Sequence, residues 1–154
     1  MYRKQGERYS TMKKAIWFDM DGTLANFYGV AGWLEALENE EVKPYAEAKA
    51  LVNLSALARI LNRLAKNGYE INIVSWTSKE ASADFCERIA TAKREWLKKH
   101  LASVAFNNID IILYGEPKSA NRNGILFDDE AQNRKEWGEN AYTEKEIFEI
   151  LKAL

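Results

Sequence analysis

Short apolar runs alternate along the chain with longer stretches that carry a helical period. Four runs, Ala15–Asp19, Ile71–Ser75, Ile109–Leu113 and Ile125–Asp128, are four or five residues long and rich in isoleucine, valine or aromatics. That length and composition predict buried strands. Leu54, Leu57, Leu61 and Leu64 recur at spacings of three and four before Asn67-Gly68, which predicts a helix with its stop. Phe85, Ile89, Ala92 and Trp96 repeat the pattern on a second helix, roughly Glu80 to His100. Ile147, Ile150, Leu151 and Leu154 mark a closing helix, with Thr143 and Glu146 in capping-box spacing. Strands alternating with helices predict an α/β fold built on a doubly wound parallel sheet. One stretch, about residues 26–50, exceeds a minimal strand–helix–strand unit. It holds a helical piece around Trp33–Glu41 and a helix start at Pro44, and reads as a minimal helical cap inserted over the sheet edge. Residues 1–11 are polar and aperiodic, which predicts a flexible tail, with Met12 as an alternative start and residues 12–154 as a single domain.

Composition narrows the function classes. At 154 residues the chain is long enough to bury a core, and 47% hydrophobic with 29% charged residues is ordinary for a globular domain. Twenty-two basic against 23 acidic residues leave a net charge of −1, which speaks against binding nucleic acid or membrane through bulk charge. One cysteine, Cys86, excludes an internally disulfide-stapled scaffold and is expected to be inert. No apolar run approaches the roughly 20 residues of a membrane span, and Met1–Lys14 shows no signal-peptide core. The expected location is therefore cytoplasmic, with no membrane partner.

The polar signals gather at the carboxyl ends of the predicted strands. Asp19-Met20-Asp21-Gly22-Thr23 follows the first strand, and Ser75-Trp76-Thr77-Ser78 the second. Lys118 follows the third, and Asp128-Asp129 ends the fourth. In a doubly wound sheet these ends border the crevice where ligands bind. Carboxylates gathered there need a cation, and a hard, oxygen-loving ion such as Mg²⁺ is implied. Lysine and a serine hydroxyl suit phosphate, and Gly22 lets the chain turn sharply with its N–H groups toward an anion. The set describes phosphoryl transfer: Asp19 as nucleophile, and Asp21 as the acid that protonates the leaving oxygen and then activates water. Ser75, Lys118, Gly22, Thr23 and Trp76 are the expected phosphate contacts, and Asp19, Asp21, Asp128 and Asp129 the metal ligands. Thr77 and Ser78 compete with Ser75, and Lys79 and Lys135 with Lys118. Phe27, Tyr28, Trp33 and Trp76 flank the site, either as stacking surfaces or as the core of the insertion. The run Lys93, Arg94, Lys98, Lys99 is expected on a solvated helix face, with His100 a charged residue closing the helix.

DMDGT on an apolar strand, then a strand ending in Ser, a Lys, and a strand ending in Asp-Asp resembles the haloacid dehalogenase (HAD) superfamily of phosphohydrolases. The motifs stand in that superfamily's order from about Lys14 to Asn133. The resemblance implies a Rossmann-like, HAD-like fold, Asp19 as nucleophile and Asp21 as acid/base. It also implies Ser75 and Lys118 on the phosphate, with Mg²⁺ on Asp19, the Asp21 carbonyl and Asp128, and Asp129 beside them. An acid two residues after the nucleophile is what the superfamily's phosphatases have and its dehalogenases lack. DMDGTLANF, the Lys93–Leu101 run KREWLKKHL and ILFDDEAQN are similar to the 5′-nucleotidase, deoxy (pyrimidine), cytosolic type C family and its bacterial and phage relatives. Asn26 stands where that family commonly has Asp, and the insertion is shorter than a nucleotide-gripping cap.

The expected function is Mg²⁺-dependent phosphomonoester hydrolysis through an aspartyl-phosphate, on nucleotides or small phosphorylated metabolites. A small cap leaves the crevice open, so water exclusion calls for the substrate or a second subunit in a homo-oligomer. That openness keeps a macromolecular phosphate in play as substrate, either a nucleic-acid 3′-phosphate or a phosphoprotein. A silent phosphate-binding module does not need Asp21. A signalling receiver domain would carry its acidic pair on the first strand, where this chain carries it on the last.

Overall fold

The computed structural model describes residues 14–154; the predicted tail and the alternative start at Met12 lie outside the described residues. Among the described residues five parallel strands form one sheet: β1 (Ala15–Phe18), β2 (Glu70–Trp76), β3 (Asn108–Ile112), β4 (Ile125–Phe127) and β5 (Ala141–Tyr142), in the order β3-β2-β1-β4-β5. The fold is α/β and Rossmann-like. β1 lies centrally, with Ile16 paired to Ile71 on one side and Ile125 on the other. Its side chains alternate between the two faces, as strand geometry requires. Ile16 and Phe18 join the larger core with Leu57, Leu61, Leu64, Ile71, Ile73, Phe127, Ile147 and Leu151. Ala15 and Trp17 join Val74 and Leu126 on the opposite face, packed by Trp137. β5 has only two residues and no period of its own; pairing with β4 defines it.

The helices follow the predicted periods with shorter ends. α1 (Trp33–Glu38) and α2 (Lys43–Glu47, Pro44 in its first turn) lie in the insertion, and α3 (Leu54–Lys66) buries Leu57, Leu61 and Leu64. α4 spans Ala83–His100 and starts at Ser82, whose hydroxyl accepts from the Phe85 N–H at 3.1 Å. α5 (Ala131–Trp137) follows the acidic pair, and α6 (Ile147–Lys152) follows the Thr143–Glu146 capping box, which forms on a single 3₁₀ turn. The connection from β3 to β4 is a run of turns over residues 113–124, and it carries Lys118.

Residues 26–50 leave and rejoin the sheet layer at one point. Ala25 and Ala50 form an antiparallel bridge, and Asn26 N–H donates to the Lys49 carbonyl at 2.7 Å. Phe27 and Tyr45 pack on Phe85, Ile89 and Ala92 of α4 as a separate small core. A polar latch reinforces that contact. Glu40, in the left-handed region at φ 51°, accepts from the Ser82 N–H at 2.9 Å and the Ser82 hydroxyl at 2.6 Å. Arg88 donates back to the Glu40 carbonyl at 3.0 Å. Trp96 ties α4 to the foot of the insertion by donating from Nε1 to the buried Ala48 carbonyl at 2.7 Å. Trp96→Phe keeps most of the apolar volume and orphans that carbonyl. A loss of about 1–3 kcal/mol is expected in urea denaturation, and an unchanged midpoint would mean the bond contributes nothing.

Candidate active site

The carboxyl ends of β1, β2 and β4 open onto one cavity of about 360 Å³, lined by Asp19, Asp21, Thr77, Lys118, Asp128 and Asp129 among others. β1 delivers Asp19 one residue past its last paired position, and β4 delivers Asp128 in the same way beside it. Between β1 and the insertion the chain reverses on Met20, whose carbonyl accepts from the N–H groups of Thr23, Leu24 and Ala25 at 2.9–3.1 Å. The turn requires φ +83° at Gly22, and any Cβ there would run into the Asp129 carboxylate.

Lys118 sits at the centre. Its ammonium, 2% exposed, donates to Asp19 Oδ1 at 2.9 Å and to Asp128 Oδ2 at 2.7 Å. Lys79 lines the cavity from an exposed position, and Lys135 does not line it. Asp128 Oδ2 also accepts from Asn133 Nδ2 at 3.1 Å, and Asp128 Oδ1 from the Glu130 N–H at 2.9 Å. Thr23 is fully buried. Its hydroxyl donates to Asp19 Oδ2 at 2.9 Å and accepts from the Asp129 N–H at 3.1 Å, so it braces the acids from behind.

The two hydroxyls of the β2 end have different environments. Ser75 is 1% exposed and does not line the cavity; its Oγ accepts from Lys93 Nζ at 2.6 Å. Thr77 is buried and lines the cavity, and its Oγ1 has no hydrogen-bond partner among the described residues. Trp76 lines the cavity with its indole N–H donated to the Glu116 carbonyl at 2.8 Å, an anchor for the loop that carries Lys118. Gly22 gives its N–H to the Ala25 carbonyl at 2.9 Å.

Two site residues escaped the sequence reading. Lys93 is not on a solvated face: it is fully buried and donates to Asp21 Oδ2 at 2.9 Å, Ser75 Oγ and the Trp76 carbonyl at 2.7 Å. The signal was present, since Phe85, Ile89, Lys93 and Leu97 fall four residues apart on the buried stripe of α4. Arg94, Lys98 and Lys99 are exposed, as expected. His100 packs tilted against Trp96, with ring centroids 4.4 Å apart, and burial with the adjacent Lys99 charge lowers its pKa. Asn133 was missed because one Asn on a polar helical turn has no periodic signature.

Electrostatics separates the carboxylates. Burial alone would raise Asp19, but the Lys118 charge and hydrogen bond overcome it and hold the carboxyl below its ordinary value. Asp21 is raised: burial and the Asp19 charge outweigh Lys93. Burial and the Asp19 charge push Asp128 up to about 6 and Asp129 up to about 8. Oxygens of Asp19, Asp128 and Asp129 all lie within 4.8 Å of one another, so these three acids could hold a metal ion. Three carboxylates with raised pKa values on two of them form the donor set that a hard divalent cation satisfies.

Aromatic residues form the rest of the wall. Phe27, Tyr28, Trp33 and Tyr45 come from the insertion, with Phe27 centroids 4.7–5.5 Å from the other three rings. Trp76 and Tyr114 come from the ends of β2 and β3, 5.0 Å apart. Phe27 and Tyr45 are buried and Tyr28 is half exposed, so the cluster is both the insertion's core and a cavity surface.

Asp129 keeps its proton in the folded chain up to about pH 8, whereas the unfolded chain loses it near 3.8. The folded state therefore binds more protons across that window, and stability falls as pH rises. Asp128 adds the same sign between 3.8 and about 6. Asp19 acts oppositely: its contribution is present above 3.8 and is lost as pH falls below it. In metal-free buffer the melting temperature should drop from about pH 6 to about pH 8.5, and added Mg²⁺ should restore more at the higher pH. A flat profile would place Asp129 at an ordinary pKa.

No protein-family model matches the chain, and no curated protein matches it. Among solved structures, the chain is similar to D,D-heptose 1,7-bisphosphate phosphatase from Burkholderia thailandensis at 16% identity. The match covers 80% of this chain and 70% of that one, with a TM-score of 0.49.

Proposed function

We propose that the chain is a HAD-type phosphomonoester hydrolase working through an aspartyl-phosphate. The observation that carries this reading is the opposite displacement of two carboxyls two residues apart at the end of the central strand. Asp19 is lowered by Lys118, and Asp21 is raised by burial and by Asp19. An attacking carboxylate works ionised and a general acid works protonated, and the opposite directions of the two shifts fit those roles. The order of the sequence motifs and the meeting of Asp19 and Asp128, at the ends of β1 and β4, with Lys118 from the β3–β4 loop support the same reading.

In the proposed mechanism Lys118 and Thr77 receive the phosphate. Lys118 supplies charge, and Thr77 is the buried hydroxyl free to donate, so it takes the role that the sequence reading gave first to Ser75. A carboxylate oxygen of Asp19 forms a bond to phosphorus as the bond to the leaving oxygen breaks, and the Asp21 proton passes to that oxygen. Asp21, now ionised, takes a proton from water as the water attacks the aspartyl-phosphate and regenerates Asp19. Asp19, Asp128 and Asp129, with the Asp21 carbonyl, would hold Mg²⁺, which when bound offsets the charge of the phosphoryl oxygens. The aromatic wall suits a flat or apolar leaving group, and nucleoside monophosphates are the favoured substrates among small phosphorylated metabolites.

Phosphate release from an aryl phosphate and from nucleoside 5′- and 3′-monophosphates, with and without Mg²⁺, tests the reading. Mg²⁺-dependent turnover is expected, with Asp19→Asn lowering it at least about 10³-fold. Thr77→Val should raise KM or lower kcat/KM about tenfold or more, since it removes a donor to a charged group. No turnover on any small phosphate would sink the small-molecule reading and favour a macromolecular substrate or a silent binding module.

A further inference from the structure

Lys93 is a fully buried cation that the proposed chemistry does not use. An ammonium has three N–H donors and no acceptor, and all three of its donors are placed: on Asp21 Oδ2 at 2.9 Å, Ser75 Oγ at 2.6 Å and the Trp76 carbonyl at 2.7 Å. Nζ also lies 5.1 Å from the centre of the Tyr45 ring, so β2, α4 and the insertion all hold the charge in place. A core position of this kind is served as well or better by Met or Leu if packing is all that is required, because burying an ion pair carries a desolvation penalty.

We propose that Lys93 is a positioning residue for proton transfer: it fixes Asp21 through Oδ2 and leaves Oδ1 as the oxygen that carries the transferable proton. The proposal rests on the phosphatase reading above. An oxygen facing a donor-only group cannot direct a proton toward it, so the acid form of Asp21 carries its hydrogen on Oδ1. The Asp21 side chain is 20% exposed and lines the cavity while Lys93 does not, so Oδ2 is held from the buried side. In the step concerned, the bond from Asp19 to phosphorus forms, the bond to the leaving oxygen breaks, and the Oδ1 proton passes to that oxygen. Ser75 completes the device. Because its Oγ accepts from Lys93, it fixes the ammonium against the end of β2.

The test is the leaving-group dependence of kcat/KM, which reports transfer to Asp19 without the later hydrolysis. A dinitrophenyl phosphate needs no proton on its leaving oxygen, whereas an alkyl phosphate does. Lys93→Met should lower kcat/KM about 100-fold or more on the alkyl ester and less than about threefold on the dinitrophenyl ester. In an Asp21→Asn background the same substitution should change neither by more than about threefold, because the group it positions is already gone. Equal losses on both esters, or full additivity with Asp21→Asn, would overturn the proposal and leave Lys93 a structural ion pair. Lys93→Gln, which keeps N–H donors without the charge, is measured alongside so that poor folding of the Met variant does not decide the result. Its loss on the alkyl ester should be smaller than that of Lys93→Met in a properly folded protein, and a loss shared equally by the two esters would again overturn the proposal. A wild-type protein inactive on both esters would overturn the phosphatase reading itself, and this proposal with it.

Discussion

The site depends on one ammonium group held between two carboxylates. Asp19 and Asp128 leave neighbouring parallel strands at equivalent positions and would repel each other across the gap between β1 and β4. Lys118 Nζ bonds to both, within 2.9 Å, and none of the three side chains is more than 8% exposed. Burying three charges is costly unless each has its partners. The remaining lone pairs are accordingly met by Thr23, Asn133 and the Glu130 N–H. The loop that brings Lys118 into place has no helix of its own, and the Trp76 indole anchors it at Glu116.

Charge balance explains the rest of the cluster. Asp19, Asp21, Asp128 and Asp129 face two buried lysines, so the four acids cannot all be ionised without a further cation. Asp129, which borders the cavity and makes no ion pair with either lysine, is pushed up to about 8. A proton or a divalent ion can answer the same deficit, so a divalent ion held by Asp19, Asp128 and Asp129 would displace the Asp129 proton.

The insertion shapes the cavity without the bulk of a separate cap domain. Its aromatic residues pack on α4 and on each other, and Glu40 and Arg88 latch it to the start of α4. α4 also carries Lys93, so the element that supports the wall also holds Asp21. Wall and Asp21 are thereby held from one helix, which fixes their placement relative to each other.

What could be read along the chain was what local chemistry controls. The leucine period of α3 and the aliphatic runs of β1, β2 and β4 specify their own backbone and buried face, and strand ends carry polar residues to one edge of a parallel sheet. The acids and Lys118 were legible for that reason. Choosing between Ser75 and Thr77 was beyond sequence, since residues two apart share a face and only the neighbours decide which hydroxyl meets the cavity. The same holds for Lys93, Asn133 and β5. Lys93 lies 72 residues from the carboxylate it holds, and Asn133 acts through Asp128. The two residues of β5 gain their conformation from pairing with β4. Periodicity reports one element's hydrophobic face. Which polar group lies buried behind which acid, and hence which carboxyl is ionised, is set by packing between elements far apart in the chain, and only the tertiary structure decided it.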